Sequence, residues 1–198
     1  MTEAIFGLVG VLLGSGISWF QSDWTNRRAT KKNARYLAIR IVCILDKFIE
    51  DCTAVVKDDG LFEGQRDSEG CLQPQVKTPA PPDYPDDVDW KSIDHELMYR
   101  ILSLPSEIAD GDRLISGTWD IASPPDYSEW FDERKFYYCH FGLTAYKLSS
   151  DLIKEYGIKM KTYNNWNPAA YLKQELEKVV SSRNLRIDEY KEIMKRLL

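Results

Sequence analysis

The side chains best suited to chemistry in this 198-residue chain are two histidines, four cysteines and a run of aspartates. His95 stands in Asp94-His95-Glu96 at the start of a predicted helix, where neighbouring side chains point about 100° apart and do not converge on one site. We therefore predict an exposed histidine there. The cysteines form no CxxC pair, so their spacing favours neither a zinc site nor a redox dithiol. We interpret all of them as reduced thiols: Cys43, Cys52, Cys71 and Cys139.

The acidic run Asp86-Asp87-Val88-Asp89 closes a proline-rich stretch. Clustered carboxylates can hold a hard divalent cation. However, Asp89 also directly precedes an apolar run with helical spacing, which is the position of a helix N-cap. We favour capping and predict no metal site. Since the chain contains no phosphate-binding loop, dinucleotide fingerprint, nucleophile elbow or metalloprotease pair, we also predict no cofactor.

His140 follows Arg134 by six residues, in the segment Arg-Lys-Phe-Tyr-Tyr-Cys-His. An Arg followed four to six residues later by a His resembles the catalytic motif of HEPN ribonucleases, which are all-α and usually dimeric. The resemblance covers these seven residues. It implies that Arg134 stabilises charge on a scissile phosphate and that His140 acts as acid or base at the ribose hydroxyl.

A structural interpretation of the same two residues needs no catalysis. In it, Arg134 pairs with an acid such as Glu129, and His140 packs beside its aromatic neighbours. We favour this interpretation and assign no catalytic residue, with the Arg134 and His140 pair kept as the alternative.

The elements that position these residues begin with an apolar stretch from Ala4 to Phe20 that contains no charged side chain. Extended to Trp24, a helix of this stretch is about 31 Å long, enough for a hydrocarbon core of ~30 Å. We predict a transmembrane anchor over residues 1–24. The alternatives are a signal peptide, a helix buried in a soluble core and an interfacial amphipathic helix.

Charges on either side of the predicted span give it a direction. Glu3 precedes it, whereas basic residues follow it, so the positive-inside rule places the N-terminus outside and the C-terminal domain in the cytoplasm, at the cell (inner) membrane. Aromatic and basic side chains are expected at the membrane interface. They are Trp19, Trp24, Arg27, Arg28, Lys31, Lys32 and Arg35.

Small residues recur within the span at spacings of three and four, which places them on one helical face: Gly7, Gly10, Gly14 and Ser18. Close approach of backbones across such a row is one way in which spans associate. The row predicts a homo-oligomer. The alternative is a chance spacing of residues that are common in membrane helices.

After the span, hydrophobic periodicity predicts an all-α body, a cytosolic bundle of about five helices. Residues 25–57 form a helix that is first basic and then amphipathic. Residues 58–89 form a Pro-rich acidic insertion loop, either draped over the bundle or partly disordered, in which a strand pair near Leu61 and 71–76 is an option. Residues 90–198 supply the remaining helices.

Helix boundaries in the second half follow from caps and breakers. Asp89 and Pro105 are predicted to start two separate helices, and Asp126 with Glu129 to form a capping box. The helix after this box should end at Gly157 and form the centre of the core. Asn167 with Pro168 starts the next helix, and a last one contains Ile187, Tyr190, Met194 and Leu197.

The overall charge bears on function. A formal net charge of −5 argues against a dedicated nucleic-acid binder, so no nucleic-acid partner is expected. We predict a membrane-anchored protein whose helical domain acts by contact with a protein partner that the sequence does not identify. It would be an adaptor, a scaffold or an accessory effector of the defence type. The alternative is an HEPN-like ribonuclease or another hydrolase.

Overall fold

The computed structural model describes residues 2–159 and 166–197, and the regular secondary structure in these ranges is helical. Only the backbone is described for residues 2–20, 22, 189, 190, 193, 196 and 197. A 3-10 helix (Trp90–Ser92) precedes the second of four α-helices. Within these ranges, strand pairing is limited to an isolated bridge between Phe62 and Gln65. The all-α prediction is confirmed. The α-helices are α1 (Thr2–Lys57), α2 (His95–Trp119), α3 (Ser128–Tyr156) and α4 (Pro168–Leu197).

α3 lies at the centre of the bundle and contacts α1, α2 and α4, as predicted. It runs antiparallel to α1, because Ser149 near its end donates to Asp46 (3.1 Å) while Arg134 near its start donates to Asp58 (2.9 Å). Gly157 ends α3 in the left-handed conformation, with φ of 60°, which confirms the predicted C-cap.

α2 is one helix, although two were predicted on either side of Pro105. A proline inside a helix removes one backbone hydrogen bond and costs about 3 kcal/mol. Here the apolar face continues through the proline, and burial of that face compensates for the lost bond. The buried residues of this face are Leu97, Ile101, Leu104, Ile108, Gly111 and Ile115.

α4 is likewise one helix instead of the two predicted. Asn167 caps it, since its side chain accepts from the backbone N–H of Ala169 (3.0 Å), which confirms the predicted start. No Pro or Gly interrupts residues 169–197. Arg183 also binds Glu133 of α3 (2.6 Å), and this contact holds the middle of α4 against the bundle.

The predicted capping box at the start of α3 is wrong. The N-cap is Tyr127, whose φ is 47° and whose side chain makes no capping hydrogen bond. Asp126 instead forms an ion pair with Arg66, and Glu129 accepts from the Ser128 hydroxyl (3.4 Å). The guanidinium group of Arg66, which is distant in sequence, binds the Asp126 carboxylate that the local pattern predicted to be the helix cap.

The Pro-rich loop is an ordered strap along α1. α2 runs antiparallel to α3, as α1 does, because contacts near the start of α2 are with the end of α3 and later contacts are with its first half. α1 and α2 are therefore parallel to each other, and their connection must return along the length of the bundle. Residues 74–89, here called the strap, make this return. Ala80 and Pro82 share a groove with Cys43 of α1, and Asp87 forms an ion pair with Arg40 (2.9 Å). The strand pair considered from the sequence does not form in residues 58–89.

No helix in the described part of the chain is both long and apolar enough to cross a membrane. The backbone of residues 4–20 belongs to α1. The side chains of the predicted packing row and of Trp19 lie outside the described residues, so their roles remain predictions from the sequence. The row consists of Gly7, Gly10, Gly14 and Ser18.

Candidate functional site

α1 leaves the bundle at Ala34, the first residue of the described helix that is buried in the core. All residues from 24 to 33 are exposed to solvent. Most of the predicted membrane-interface residues lie in this segment, here called the projecting segment (residues 24–33), and Arg35 lies just after it. The segment contains Trp24, Arg27, Arg28, Lys31 and Lys32.

The side chains of the projecting segment contact one another along the helix. Arg28 lies over the Trp24 ring, 4.6 Å from its centroid. Arg27 forms an ion pair with Asp23 (2.8 Å). An exposed pair of this kind contributes less than about 1 kcal/mol to stability, so the segment is held mainly by its own helical hydrogen bonds.

Arg35 marks the border between the projecting segment and the bundle. It donates to the backbone carbonyl of Gly157 (3.4 Å), just after the end of α3. A positive charge at this end of a helix also interacts favourably with the helix dipole. A groove of about 400 Å³ opens beside it, lined by Lys31, Ser92, Glu155 and other residues of α1 and α3. Both signs of charge therefore meet where the two helices join.

Arg134 forms a buried ion pair with Asp58, not the predicted contact with Glu129. The side chains of Arg134 and Asp58 are 2% and 1% exposed. The second nitrogen of the guanidinium donates to the carbonyl of Val76, and its centre lies 5.4 Å from the Trp130 ring. Arg134 thus ties α3 to the end of α1 and to the strap.

Asp58 also receives backbone hydrogen bonds. The amides of Gly60 (3.0 Å), Gln75 (2.9 Å) and Val76 (2.9 Å) donate to its carboxylate. Burial alone would raise the pKa of Asp58, but the amides of Val76 and Gly60 together with Arg134 lower the pKa below its ordinary value. The carboxylate is therefore charged when it holds the strap in place.

The two residues of the ribonuclease-like pattern are not brought together. Arg134 is buried, whereas His140 is exposed. Six residues along a helix correspond to a rotation of about 120° between the side chains and a rise of about 9 Å. The His140 ring lies near Phe141, with centroids 6.5 Å apart, which agrees with the aromatic surroundings expected in the structural interpretation.

A second, partly buried polar contact links α2 to α3. The Tyr138 hydroxyl donates to Asp112 (2.8 Å). Burial raises the pKa of Asp112, although the hydrogen bond from Tyr138 partly opposes the rise. Asp112 forms none of the described ion pairs, so no positive charge offsets the free-energy cost of burying its carboxylate in the charged form.

The other candidates are accounted for by local contacts. His95 is exposed at the first turn of α2, as expected. Asp89 caps the 3-10 helix by accepting from the Lys91 amide (3.2 Å), while Asp94 caps α2. The described residues include no group of three or more His, Cys, Asp or Glu placed to hold a metal ion.

The cysteines are free thiols, and only Cys43 is exposed. Burial raises the pKa of Cys139 to about 12 and that of Cys52 well above its ordinary value. A thiol nucleophile requires the deprotonated form, so these two side chains behave as core residues.

Apolar side chains are exposed at the end of the bundle opposite to the projecting segment. Ile121, just after α2, is 76% exposed, and Ile187 of α4 is 52% exposed. Leu114 and Trp119 are exposed on α2 as well, and Thr118 lines one groove together with Ile187. We call Leu114, Trp119, Ile121 and Ile187 the distal apolar surface.

No family model matches this chain, and neither a curated protein nor a solved structure matches it.

The geometry adds partners that local sequence patterns missed. Local sequence patterns place Asp58 only at the start of the predicted loop 58–89, yet it binds Arg134 across 76 positions. A buried arginine requires a buried acid, but the sequence contains 31 acidic residues and does not tell which one is near in space.

Proposed function

We propose that this chain is a single-pass membrane protein with its N-terminus outside the cell membrane and its helical bundle in the cytoplasm. The observation that supports this is the continuity of α1, a single helix from Thr2 to Lys57. It joins the apolar stretch 4–20 directly to the buried core that begins at Ala34. Because α1 is one unbroken helix, the orientation of its N-terminal part in a membrane fixes the orientation of the bundle.

The bundle acts by protein contact, as an adaptor, a scaffold or an accessory effector. The distal apolar surface supports this role, because exposed apolar side chains grouped at one end of a domain are typical of interaction sites. It lies at the end of the bundle away from the predicted membrane, where a cytoplasmic partner has free access.

Extraction of membranes with carbonate tests the anchor. The wild-type protein should stay in the pellet, and its release into the supernatant would contradict the proposal. Leu13→Arg places a charge in the apolar stretch, at a cost of about 3 kcal/mol near the centre of a span, and should increase release. The matched control is Leu102→Arg, since Leu102 is 47% exposed on α2 and lies far from the stretch.

Labelling of cysteines tests the orientation. Cys43 is the exposed thiol on α1. A maleimide that does not cross membranes should label it in inverted vesicles but not in intact cells. Thr2→Cys in a Cys43→Ser background should show the opposite pattern, and labelling of Cys43 in intact cells would contradict the orientation.

A further inference from the structure

The charges of the projecting segment lie on one face of α1. At about 100° per residue, the basic side chains and Trp24 fall within an arc of about 140°. We call this arc the basic face; it consists of Trp24, Arg27, Arg28, Lys31, Lys32 and Arg35. The opposite face bears no charge. It consists of Thr25, Asn26, Ala29, Thr30 and Asn33.

The grouping of the basic side chains on one face of α1 is not needed to orient a span in a membrane. The positive-inside rule depends on the number of basic residues near the end of a span, not on the side of the helix that they occupy. No acidic residue occurs from Trp24 to Leu45, and the nearest one, Asp23, pairs with Arg27. The other four basic residues of the face form none of the described ion pairs with acidic side chains.

We infer that the basic face binds the anionic headgroups of the bilayer and tilts α1 towards the membrane surface. The inference rests on the proposed membrane anchor. At ~1.5 Å per residue, Arg28 and Lys32 lie about 6 and 12 Å beyond Trp24, comparable to the Debye length of ~8 Å at physiological salt. An anionic surface is complementary to the one-sided charge, and Trp24 suits the headgroup level.

The tilt has a consequence for the bundle. α1 continues without a break into the core, and Arg35 joins it to the end of α3. The bundle therefore moves as the helix tilts. The basic face selects which side of the bundle approaches the membrane, and the distal apolar surface takes a defined orientation.

Energy transfer from Cys43 to the bilayer surface measures the tilt. The full-length protein, labelled at Cys43, is reconstituted into vesicles containing an acceptor-labelled lipid. Cys43 lies about 28 Å along the helix from Trp24 if α1 stands upright. Transfer should be more efficient in vesicles of mixed phosphatidylglycerol and phosphatidylcholine than in phosphatidylcholine alone. The increase should disappear at about 1 M salt, where the Debye length falls to about 3 Å.

A variant with rearranged charges provides the control. Arg28→Asn with Asn26→Arg, combined with Lys32→Asn with Asn33→Lys, moves two charges to the opposite face without changing composition. It should remain resistant to carbonate but lose the lipid-dependent increase in transfer. Equal transfer of the wild type in both lipids, or an unchanged increase in the variant, would overturn the inference while leaving the anchor intact. Release of the wild type by carbonate would instead refute the anchor, and the inference with it.

Discussion

Arg134 and Asp58 form an ion pair of 2.9 Å between side chains that are almost completely buried. The pair connects the start of α3 to the residue that follows α1. Because the Asp58 carboxylate also accepts from the amide of Val76 (2.9 Å), the same contact holds the strap. One buried charge pair thus maintains the connection between the parallel helices α1 and α2.

Replacing Arg134 should destabilise the bundle strongly. Arg134→Ala leaves the Asp58 charge buried without its partner, which typically costs about 3–5 kcal/mol of unfolding free energy. Urea unfolding followed by circular dichroism measures this loss. The control is Arg66→Ala, which breaks the exposed pair with Asp126 and should cost less than about 1 kcal/mol. Equal losses in the two variants would contradict the role of the buried pair.

The ribonuclease alternative makes a different prediction for His140. If Arg134 has a structural role, His140→Ala should leave stability unchanged and any RNA cleavage or toxicity of the overexpressed protein unchanged, because His140 is exposed. An HEPN-like enzyme would lose cleavage in both His140→Ala and Arg134→Ala. Loss of cleavage in a fully folded His140→Ala protein would therefore favour the enzyme.

Asp112→Asn should stabilise the protein at neutral pH. Burial raises the pKa of Asp112 in the folded state, so its contribution to stability is complete below the unfolded pKa of about 4 and is lost as the pH rises through the folded pKa. Asn keeps an acceptor for Tyr138 without the charge. Thermal unfolding should show a higher midpoint for the variant at pH 7 and no difference well below pH 4.

The control for this prediction is Asp110→Asn, since Asp110 is exposed and forms an ion pair with Arg113. It should not raise the midpoint at pH 7. A gain of similar size in both variants would show that net charge, and not burial of Asp112, is responsible.

Two glycines of α2 should respond oppositely to alanine. A Cβ at Gly111 would lie 2.9 Å from Cδ1 of Tyr137 and closer still to Phe141, so Gly111→Ala should destabilise by about 1–3 kcal/mol. A Cβ at Gly117 meets nothing within 4 Å, so Gly117→Ala should stabilise by about 0.5–1 kcal/mol. Urea unfolding measures both, and a loss at Gly117 would contradict the packing.

The small-residue row of the predicted span remains a prediction from sequence. If Gly10 and Gly14 pack against a second copy, Gly10→Leu with Gly14→Leu should lower the yield of crosslinked dimer in membranes. Val9→Leu with Leu13→Val, outside the row, is the control that changes shape without adding bulk to it. An unchanged dimer yield in the glycine variant would contradict association through this face.

Sequence periodicity predicted the helices well where one apolar face was long. The end of α3 at Gly157 and the start of α4 at Asn167 were predicted because capping depends on residues within a few positions. The breaks at Pro105 and before Ile187 were wrong for the opposite reason. Continuity of α2 at Pro105 depends on burial against α3, and α4 continues past Arg183, which forms an ion pair with Glu133 of α3. Local sequence patterns contain neither of these contacts.

The sequence by itself determined the all-α class, the apolar stretch followed by basic residues, and the loop nature of residues 58–89, since each follows from the composition of neighbouring residues. Tertiary structure alone decided that this loop is a strap, that Arg134 binds Asp58 and that residues 24–33 of α1 are exposed to solvent. These features depend on residues far apart in the chain. Burial, which makes an ion pair costly to break and a helix face costly to expose, acts only once the helices have packed.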